Sequence, residues 1–420
     1  MIKVTAKKVY VAMSGGVDSS VAAALLKKEG YEVMGVFFKP WAPFAETSEG
    51  RSNPVYFCNW EKDRRDAMVV AEVLGIPFKT WDFSKEYKNK VGVYMIEAYR
   101  QGITPNPDVM CNKEIKFGLF LKKALKEGAD FIATGHYVRL KATSYPEPQQ
   151  AGYGAGKRQA TSQKKNTQTD GLKPKTYSLF QAKDKNKDQS YFLWTLTQEQ
   201  LKHCLFPVGD YAKPEVRKLA KKFGLPTFDK KDSQGVCFIG QLDMKEFLKK
   251  YIKPKPGQIF LREAQENNCQ GSTLTIEVVG MHEGSAYYTI GQRHGLNITN
   301  GGGPYYVSDK DLKKNLVFVT KDEKKLGTKE LQVSNINWIN PRIAKVIHIQ
   351  GRTLYGLKIK ARYRTPAVPA KVIPIQGRPI QGRTLYGLLV RTEKPIRAVT
   401  SGQSVVFYHG QEMLGGGIIV

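Results

Sequence analysis

Short apolar runs alternate with amphipathic stretches over the first third of the chain. The runs VYVAM (9–13), YEVMGVFF (31–38) and IPFKTWDF (76–83) predict buried strands, and DFIATGHYVRL (130–140) predicts another. Stretches between them, such as EKDRRDAMVVAEVLG (61–75), carry the 3.6-residue apolar spacing of helices. Strands that alternate with helices indicate an α/β fold with a doubly wound parallel sheet, which binds ligands at the carboxyl ends of its strands.

Two changes of composition divide the rest of the chain. Residues 142–176 contain no Val, Ile or Phe, which predicts a mobile inserted loop. Past about Pro254, short runs such as AYYTIG (286–291) and NLVFVT (315–320) predict strands without helices between them. We therefore expect a catalytic α/β domain over 1–250, a small β-rich domain over 251–310 and a C-terminal β-barrel over 311–420.

One nonapeptide is repeated within the expected barrel. IQGRTLYGL occurs at 349–357 and again, unchanged, at 380–388. Two copies do not make a solenoid, so we interpret them either as a local duplication or as a paired hairpin. Neither interpretation points to any chemistry.

The charge of the chain indicates a class of partner. Lys and Arg number 66 against 38 Asp and Glu, and the net charge of +28 favours a polyanion, although a general basic bias would also produce it. We expect a cytoplasmic protein without a membrane segment, because no apolar run reaches 18 residues and the first strand begins almost at once. Five cysteines without a CxxC pair predict neither a disulfide framework nor a zinc site.

The first strand leads into the loop SGGVDSS (14–20), which is followed by an alanine-rich stretch ending at Gly30. We expect a helix with Ser19 or Ser20 as its N-cap and Gly30 just past its end. Backbone N–H groups at such a helix start attract anions, and the glycines allow close approach, so the loop predicts a phosphate site. An ordinary strand-to-helix turn is the alternative, and a Walker A loop is excluded because no Lys-Ser or Lys-Thr pair closes the loop.

Two further stretches each contain a cysteine. Cys111 follows the proline-rich loop TPNPD and opens a predicted helix, whose N-terminus, with Lys113 nearby, favours a thiolate. Cys237 follows the polar loop KKDSQG, an exposed setting that a structural thiol does not need. Each cysteine has the alternative of a buried structural thiol. Asp108 is either a general acid or base or a cap of the helix that starts near Val109.

Together these motifs closely resemble those of the bacterial tRNA 2-thiouridylases, which belong to the PP-loop ATP pyrophosphatases. The resemblance departs from the family pattern at 142–176, at 261–280 and at the duplicated nonapeptide. Further matching motifs, in the family's order, are ATGHY (133–137), NKDQSYFL (186–193), YTIGQRHGL (288–296), RYR (362–364) and SGQSVVFYHGQEMLGGGII (401–419).

The resemblance implies a reaction in two parts. ATP adenylates the C2 oxygen of the wobble uridine in the tRNA anticodon stem-loop, and sulfur then displaces AMP. Cys237 carries the incoming sulfur as a persulfide received from a cysteine desulfurase or a sulfur-relay protein. Cys111 attacks that sulfur or resolves it as a disulfide, and Asp108 serves as acid or base. Magnesium is expected with ATP, and Asp18 is its most plausible protein ligand.

The resemblance also assigns binding residues. Phe38 has core packing as its alternative role. The residues expected to contact ATP are Ala12, Met13, Ser14, Gly15, Gly16, Val17, Asp18, Ser19, Phe38 and Gly135. Those expected to contact tRNA are Asn106, Pro107, Asp108, His136, Lys187, Asp188, Gln189, Arg362, Tyr363 and Gln403.

Two other functions are weighed against this one. Another PP-loop enzyme, such as an amidating synthetase, explains the loop but not the two cysteine stretches or the basic barrel. A non-catalytic RNA-binding protein explains the charge but not the intact loop.

Overall fold

A computed structural model describes the chain in nine segments. They are residues 6–41, 56–57, 60–143, 176–231, 241–266, 272–298, 301–349, 351–376 and 386–420. Cys237 and the bulk of the expected insertion, 144–175, lie outside the described residues.

The first half of the chain contains a five-stranded parallel sheet flanked by helices. The strands of this half are β1 (Lys8–Ala12), β2 (Glu32–Lys39), β3 (Tyr56–Phe57), β4 (Phe78–Asp82), β5 (Phe131–Ala133), β6 (Val138–Thr143), β7 (Thr176–Gln181), β8 (Cys204–Leu205) and β9 (Gln241–Leu242). The parallel sheet has the order β4–β2–β1–β5–β8, and β3 pairs with β9 apart from it. This confirms the predicted α/β class.

Helices cover both faces of the parallel sheet. They are α1 (Val17–Lys28), α2 (Trp60–Val73), α3 (Ser84–Tyr87), α4 (Val93–Arg100), α5 (Pro107–Cys111), α6 (Leu121–Lys126), α7 (Gln198–Leu201), α8 (Lys213–Lys222) and α9 (Met244–Lys249). Alternating residues of β1 reach separate cores: Tyr10 packs in one cluster, and Val9 and Val11 in the other. Wide π-type turns, Lys88–Gly92 and Asn112–Phe120, connect α3 to α4 and α5 to α6.

Two expectations for this half are wrong in detail. The run at 130–140 forms two strands in different sheets, because β5 joins the parallel sheet whereas β6 pairs with β7. The first helix begins at Val17 with Gly16 as N-cap, so neither Ser19 nor Ser20 caps it. Both serine hydroxyls instead bond back to the carbonyl oxygen of Gly16.

The second half consists of a four-stranded sheet followed by a closed six-stranded barrel. The strands of the sheet are β10 (Gly257–Glu266), β11 (Ser272–His282), β12 (Tyr306–Asp311) and β13 (Leu316–Thr320), in the order β11–β10–β13–β12. The barrel strands are β14 (Gly327–Trp338), β15 (Leu354–Lys360), β16 (Val368–Gln376), β17 (Tyr386–Arg397), β18 (Ser404–His409) and β19 (Glu412–Ile419). Pairing of β14 with β19 closes the barrel and confirms the expected fold. The central domain was expected to end at 310. Since β12 and β13 belong to the four-stranded sheet, we propose that this domain extends to about Thr320.

Helical turns interrupt the second half, contrary to expectation. AYYTIG is not a strand, because Ser285–Tyr287 forms a 3₁₀ turn. Pro341–Ala344 forms helix α10 because Asn340 accepts a hydrogen bond from the backbone N–H of Arg342, and a π-type turn, Lys345–Ile349, continues from it. A further 3₁₀ turn covers Glu323–Leu326.

The repeated nonapeptide contributes to two strands that flank a third. Its first copy enters β15 and its second enters β17, and both strands pair with β16. In the described residues the copies therefore do not form a hairpin with each other. The barrel also extends into the first half of the chain, since β19 pairs with β7 through Met413 and Leu179.

Candidate active site

The loop between β1 and α1 leaves a helix start open to an anion. Gly15 has φ +72°, and a Cβ atom there would lie 2.1 Å from the carbonyl oxygen of Asp63, so only glycine fits. Among the residues that the structure describes, no side chain caps α1 at Gly16, and the N–H groups of its first turn have no acceptor within the helix. The loop therefore has the geometry of the predicted phosphate site.

The other residues expected near the nucleotide lie around this loop. Met13 and Val17 are buried in the core, so only their backbones face the loop. A Cβ atom at Gly135 would lie 2.7 Å from the backbone nitrogen of Ser19, so this glycine lets the ATGHY turn pack directly against α1. Ala12 is the last residue of β1, and Ser14 donates its N–H to the hydroxyl of Ser19.

The ring of Phe38 belongs to the aromatic core. It is 4% exposed, and its centroid lies 5.4 Å from that of Phe83 and 4.8 Å from that of Phe120. Its backbone is part of β2, near the carboxyl end of that strand. The structure thus favours core packing for the ring of Phe38.

Asp18 forms a compact ion pair that the sequence did not predict. Both of its carboxylate oxygens accept hydrogen bonds at 2.8 Å from Nζ of Lys213, the first residue of α8. The hydroxyl of Tyr137 donates to Asp18 Oδ1 at 2.6 Å. Lys213 is 8% exposed, so its charge is directed inward to the start of α1 rather than to solvent.

A second lysine connects the loop to the segment that leads to Cys237. Lys230 donates to the carbonyl oxygen of Gly15 at 3.0 Å and to Asp63 Oδ1 at 2.7 Å, and it also pairs with Asp66. Burial lowers the pKa of Lys230, but its bonds to Asp63 and Asp66 outweigh burial and raise the pKa overall. Lys230 is therefore a cation at neutral pH, seven residues before Cys237 in the sequence.

The proline-rich loop starts the helix that contains Cys111. Asn106 is the N-cap of α5, and its Oδ1 accepts the N–H of Val109 at 3.2 Å. The interpretation of Asp108 as the cap is therefore wrong, because Asn106 fills that position. Asp108 is half-buried in the first turn, whereas Cys111 is fully buried at the last residue of α5. The expectation that Cys111 opens a helix is therefore wrong, because the helix begins four residues earlier, at Pro107. The π-type turn after Cys111 is a feature often found at functional sites.

Three residues expected to contact tRNA are mainly engaged within the protein. His136 is 7% exposed, and its Nδ1 lies 2.7 Å from the hydroxyl of Thr134. Burial, followed by the charge of Lys116, holds the pKa of His136 well below its usual value. Asp188 is buried and accepts the N–H of Ala182, and Gln189 accepts the N–H of Tyr137.

The barrel residues expected to contact tRNA approach the start of α5. Gln403 donates its side-chain N–H groups to the carbonyl oxygens of Thr104 and Pro105, each at 3.1 Å. Tyr363 packs on Phe192 with ring centroids 4.4 Å apart. Lys187 is half-buried within the turn before Phe192.

Arg362 occupies a junction between the barrel and the central domain. Its Nη2 donates to the carbonyl oxygens of Ala398 at 2.5 Å and Ile290 at 3.2 Å, and to the hydroxyl of Thr400 at 3.3 Å. Burial, and then the charge of Arg397, lower the pKa of the guanidinium group. Within the described part of the chain all three bonds use Nη2, which leaves the N–H groups of Nε and Nη1 for an external anion.

Cys204 is a structural thiol. It is buried, donates to the carbonyl oxygen of Gln200, and burial raises its pKa.

The sequence patterns did not predict the contacts of Lys213, Tyr137 and Lys230 at the loop. The only local signal for Lys213 is the proline that follows it at the start of a helix.

Comparison with known proteins places the whole chain among RNA-directed enzymes. Three family models match it: a tRNA methyl transferase HUP domain over residues 7–241, a tRNA methyl transferase PRC-barrel domain over 245–321 and an aminomethyltransferase β-barrel domain over 328–419. The tRNA-specific 2-thiouridylase MnmA 2 of Geobacillus kaustophilus is 40% identical over 98% of this chain and 94% of its own length. The tRNA-specific 2-thiouridylase MnmA of Idiomarina loihiensis is 41% identical over 98% and 96% respectively.

Similarity to solved structures is weaker. The NMN synthetase of Francisella tularensis aligns over 59% of this chain and 77% of its own, with 15% identity and a TM-score of 0.30. A likeness of this size supports no argument about function.

Proposed function

The chain belongs to the family of tRNA-specific 2-thiouridylases, and from this membership we propose that it replaces the C2 oxygen of the wobble uridine of tRNA with sulfur, using ATP. The observation that carries the proposal is the identity of about 40% with two enzymes so named, over 98% of the chain. The open helix start at the phosphate loop and the cysteine-bearing helix α5 supply the two kinds of chemistry that this reaction needs.

We propose that the loop from Ala12 to Ser19 binds the phosphates of ATP. The unpaired N–H groups at the start of α1 suit an anion, and the helix dipole adds to their attraction. Lys213 neutralises Asp18, which would otherwise repel the phosphates. Phe38 would contribute through its backbone, since its ring is part of the core, and Gly135 through its position against Ser19.

Magnesium normally accompanies ATP in adenylation, but the residues at the loop do not fit a metal ion held directly by Asp18. Both oxygens of that carboxylate accept hydrogen bonds from Lys213, and one also accepts from Tyr137. Among the residues that the structure describes, no group of three or more His, Cys, Asp or Glu could hold a metal ion. We propose that Mg²⁺ arrives bound to ATP and that Asp18 does not coordinate it.

The proposed reaction exchanges oxygen for sulfur in three displacements. The C2 oxygen of uridine attacks the α-phosphorus of ATP, and the bond to pyrophosphate breaks. The terminal sulfur of a Cys237 persulfide then attacks C2, and AMP leaves with the oxygen. The Cys111 thiolate attacks the Cys237 sulfur, which breaks the S–S bond of the persulfide, leaves C2=S on the base and forms a Cys111–Cys237 disulfide. An external thiol reduces that disulfide.

Two features support roles for residues of α5. Asp108 lies one turn before Cys111 on the same helix, which supports a role for its carboxylate in proton exchange with the base. Cys111 is fully buried, so the base must leave the anticodon stack to approach it, as in other enzymes that act on a base. Asn106 and Pro107 form the start of the helix that such a base would meet.

We propose that tRNA lies across the first domain and the barrel. The partial exposure of Lys187, Arg362 and Tyr363 supports this path, and the net charge of +28 favours the phosphate backbone; Gln189 is also partly exposed, although its side chain bonds to Tyr137. The structure gives less support to tRNA contacts by His136 and Asp188, whose side chains are buried and hydrogen-bonded.

We propose that a cysteine desulfurase or a sulfur-relay protein supplies the sulfur and that the protein is located in the cytoplasm. No helix of the described residues is long and apolar enough to span a membrane.

AMP formation tests this function without measuring sulfur. The full chain is incubated with α-labelled ATP, a cysteine desulfurase with cysteine as the sulfur donor, a thiol reductant, and either a tRNA transcript with a wobble uridine or the same transcript with a wobble cytidine. We expect labelled AMP only with the uridine transcript. AMP that forms equally with both transcripts, or without tRNA, would contradict the proposal and favour another PP-loop enzyme.

A further inference from the structure

A turn of the C-terminal barrel holds the loop that starts the cysteine-bearing helix. The carbonyl oxygen of Ser401 accepts the backbone N–H of Thr104 at 3.0 Å. The side-chain amide of Gln403 donates to the carbonyl oxygens of Thr104 and Pro105, each at 3.1 Å. Three hydrogen bonds therefore join two segments that are about 300 residues apart in the chain.

Close packing at Gly402 reinforces these bonds. Gly402 has φ +90°, a conformation that favours glycine. A Cβ atom there would lie 2.1 Å from Cγ2 of Ile103 and 2.9 Å from the carbonyl oxygen of Thr104. The barrel turn thus contacts the backbone of the loop directly, without room for a larger residue.

The turn is itself fixed from the other side. Nη2 of Arg362 bonds to the carbonyl oxygen of Ala398 and to the hydroxyl of Thr400, and also to Ile290 of the central domain. The backbone N–H of Gln403 donates to the carbonyl oxygen of Thr400, which closes the turn. The turn is therefore a rigid support, since it is bonded to two other parts of the molecule.

The loop that it holds determines where α5 begins. Thr104 and Pro105 directly precede Asn106, the N-cap residue, and Thr104 and Pro105 are both buried. Asp108 and Cys111 follow within two turns of helix. A shift of the two carbonyl groups would therefore move the N-cap and, with it, the positions of both side chains.

We propose that Gln403 is a positioning residue of this enzyme: its amide fixes the start of α5 and so aligns Asp108 and Cys111 with the base. The expected effect on the reaction rate rests on the proposed function. The contact between Gln403 and the loop is independent of that function. The positioning role differs from a direct tRNA contact by Gln403, because both donors of its amide nitrogen are engaged by backbone carbonyl groups of the chain. A positioning role predicts loss of rate, whereas a tRNA contact predicts loss of affinity.

The test separates these two effects. Gln403→Ala removes the amide, and Gln403→Glu keeps its size but replaces the donor with a carboxylate that repels the carbonyl oxygens. We expect both variants to lower the single-turnover rate of thiolation between about 10- and 100-fold, with tRNA Kd within about twofold of the unchanged protein. Gln332→Ala, an exposed glutamine of the same barrel, is the matched control and should change neither quantity.

Hydrogen exchange gives a readout that does not depend on activity. The backbone amides of 103–111 should exchange faster in Gln403→Ala and Gln403→Glu than in Gln332→Ala. Unchanged exchange in both variants would overturn the proposal, and so would a weakened tRNA Kd with an unchanged rate at saturating tRNA. If the unchanged protein makes no thiouridine, the proposed function fails, while the exchange result still decides whether Gln403 fixes the loop.

Discussion

Nζ of Lys213 lies 2.8 Å from each carboxylate oxygen of Asp18, at the first turn of the helix that follows the phosphate loop. The lysine begins α8, 195 residues further along the chain. Its charge cancels that of a carboxylate next to the place where the phosphates of ATP would bind. The ion pair therefore removes the repulsion that Asp18 alone would exert on an anion bound by the N–H groups of the loop.

Replacement of Lys213 by Met should weaken both stability and ATP binding. We expect the free energy of unfolding to fall by about 0.5–1.5 kcal/mol, because the partly exposed carboxylate of Asp18 would lose its ion-pair partner. The Kd for ATP should rise about tenfold or more, since the unpaired carboxylate repels the phosphates. Denaturant unfolding and equilibrium dialysis measure the two effects. Lys222→Met, at the exposed end of the same helix, should alter neither, and equal ATP affinity in both variants would exclude this role for Lys213.

His136 should make the protein less stable in weakly acidic solution. Its pKa is held well below 6.5 in the folded chain, chiefly by burial, whereas in the unfolded chain it titrates near 6.5. The unfolded state therefore binds more protons as pH falls below about 6.5, and stability declines by up to about 1.4 kcal/mol per pH unit. Above that pH both states are neutral and the effect disappears.

A substitution isolates the contribution of His136. In His136→Gln, the loss of stability between pH 7.5 and 5.0 should be smaller than in the unchanged protein, as measured by urea unfolding. His282 also has a lowered pKa because of burial, and it remains in both proteins, so its effect cancels in the comparison. His409→Gln, on the barrel surface, serves as the control. An identical pH dependence in His136→Gln would contradict a lowered pKa of His136 in the folded chain, because a group that titrates alike in both states adds no pH dependence.

Arg362 should contribute to the salt dependence of tRNA binding. If about six phosphates are neutralised, affinity should fall roughly 10³-fold between 50 and 200 mM salt. Arg362→Ala should weaken binding and reduce the slope of log K against log salt by about one, because one phosphate contact is lost. Filter binding across a salt series measures the slope, and Cys111→Ser and Arg391→Ala are the controls. A slope that stays the same in Arg362→Ala would remove this part of the barrel from the tRNA surface.

Local patterns predicted the backbone of the candidate phosphate loop, whose parts are contiguous in sequence. The phosphate loop follows from a strand, two glycines and a helix, all within about 20 residues. The cap of that helix was mispredicted because a serine hydroxyl can bond backwards to Gly16 as readily as it can cap. For helix α5, Asp108 was predicted as the N-cap instead of Asn106. Pro107, which is typical of the first helical position, could have indicated Asn106.

Contacts between distant segments could not be predicted from these patterns. Gln403 and Thr104 are 299 residues apart, and Lys213 and Asp18 are 195 apart. Periodicity specifies which face of an element is buried, but it does not specify which other element covers that face. The same limit explains why the pairing of β7 with the barrel strand β19 was not foreseen.

Mass spectrometry of tRNA nucleosides tests the central claim most directly. The full chain is incubated with a wobble-uridine tRNA, ATP, a cysteine desulfurase with cysteine as the persulfide donor, and a thiol reductant, and the digested tRNA is analysed for 2-thiouridine. We predict 2-thiouridine in the unchanged protein and in Cys204→Ala, and none in Cys111→Ser or Cys237→Ser, although both of these should bind tRNA with nearly unchanged affinity. Absence of 2-thiouridine from the unchanged protein, or its formation at an ordinary rate in Cys111→Ser, would contradict the account.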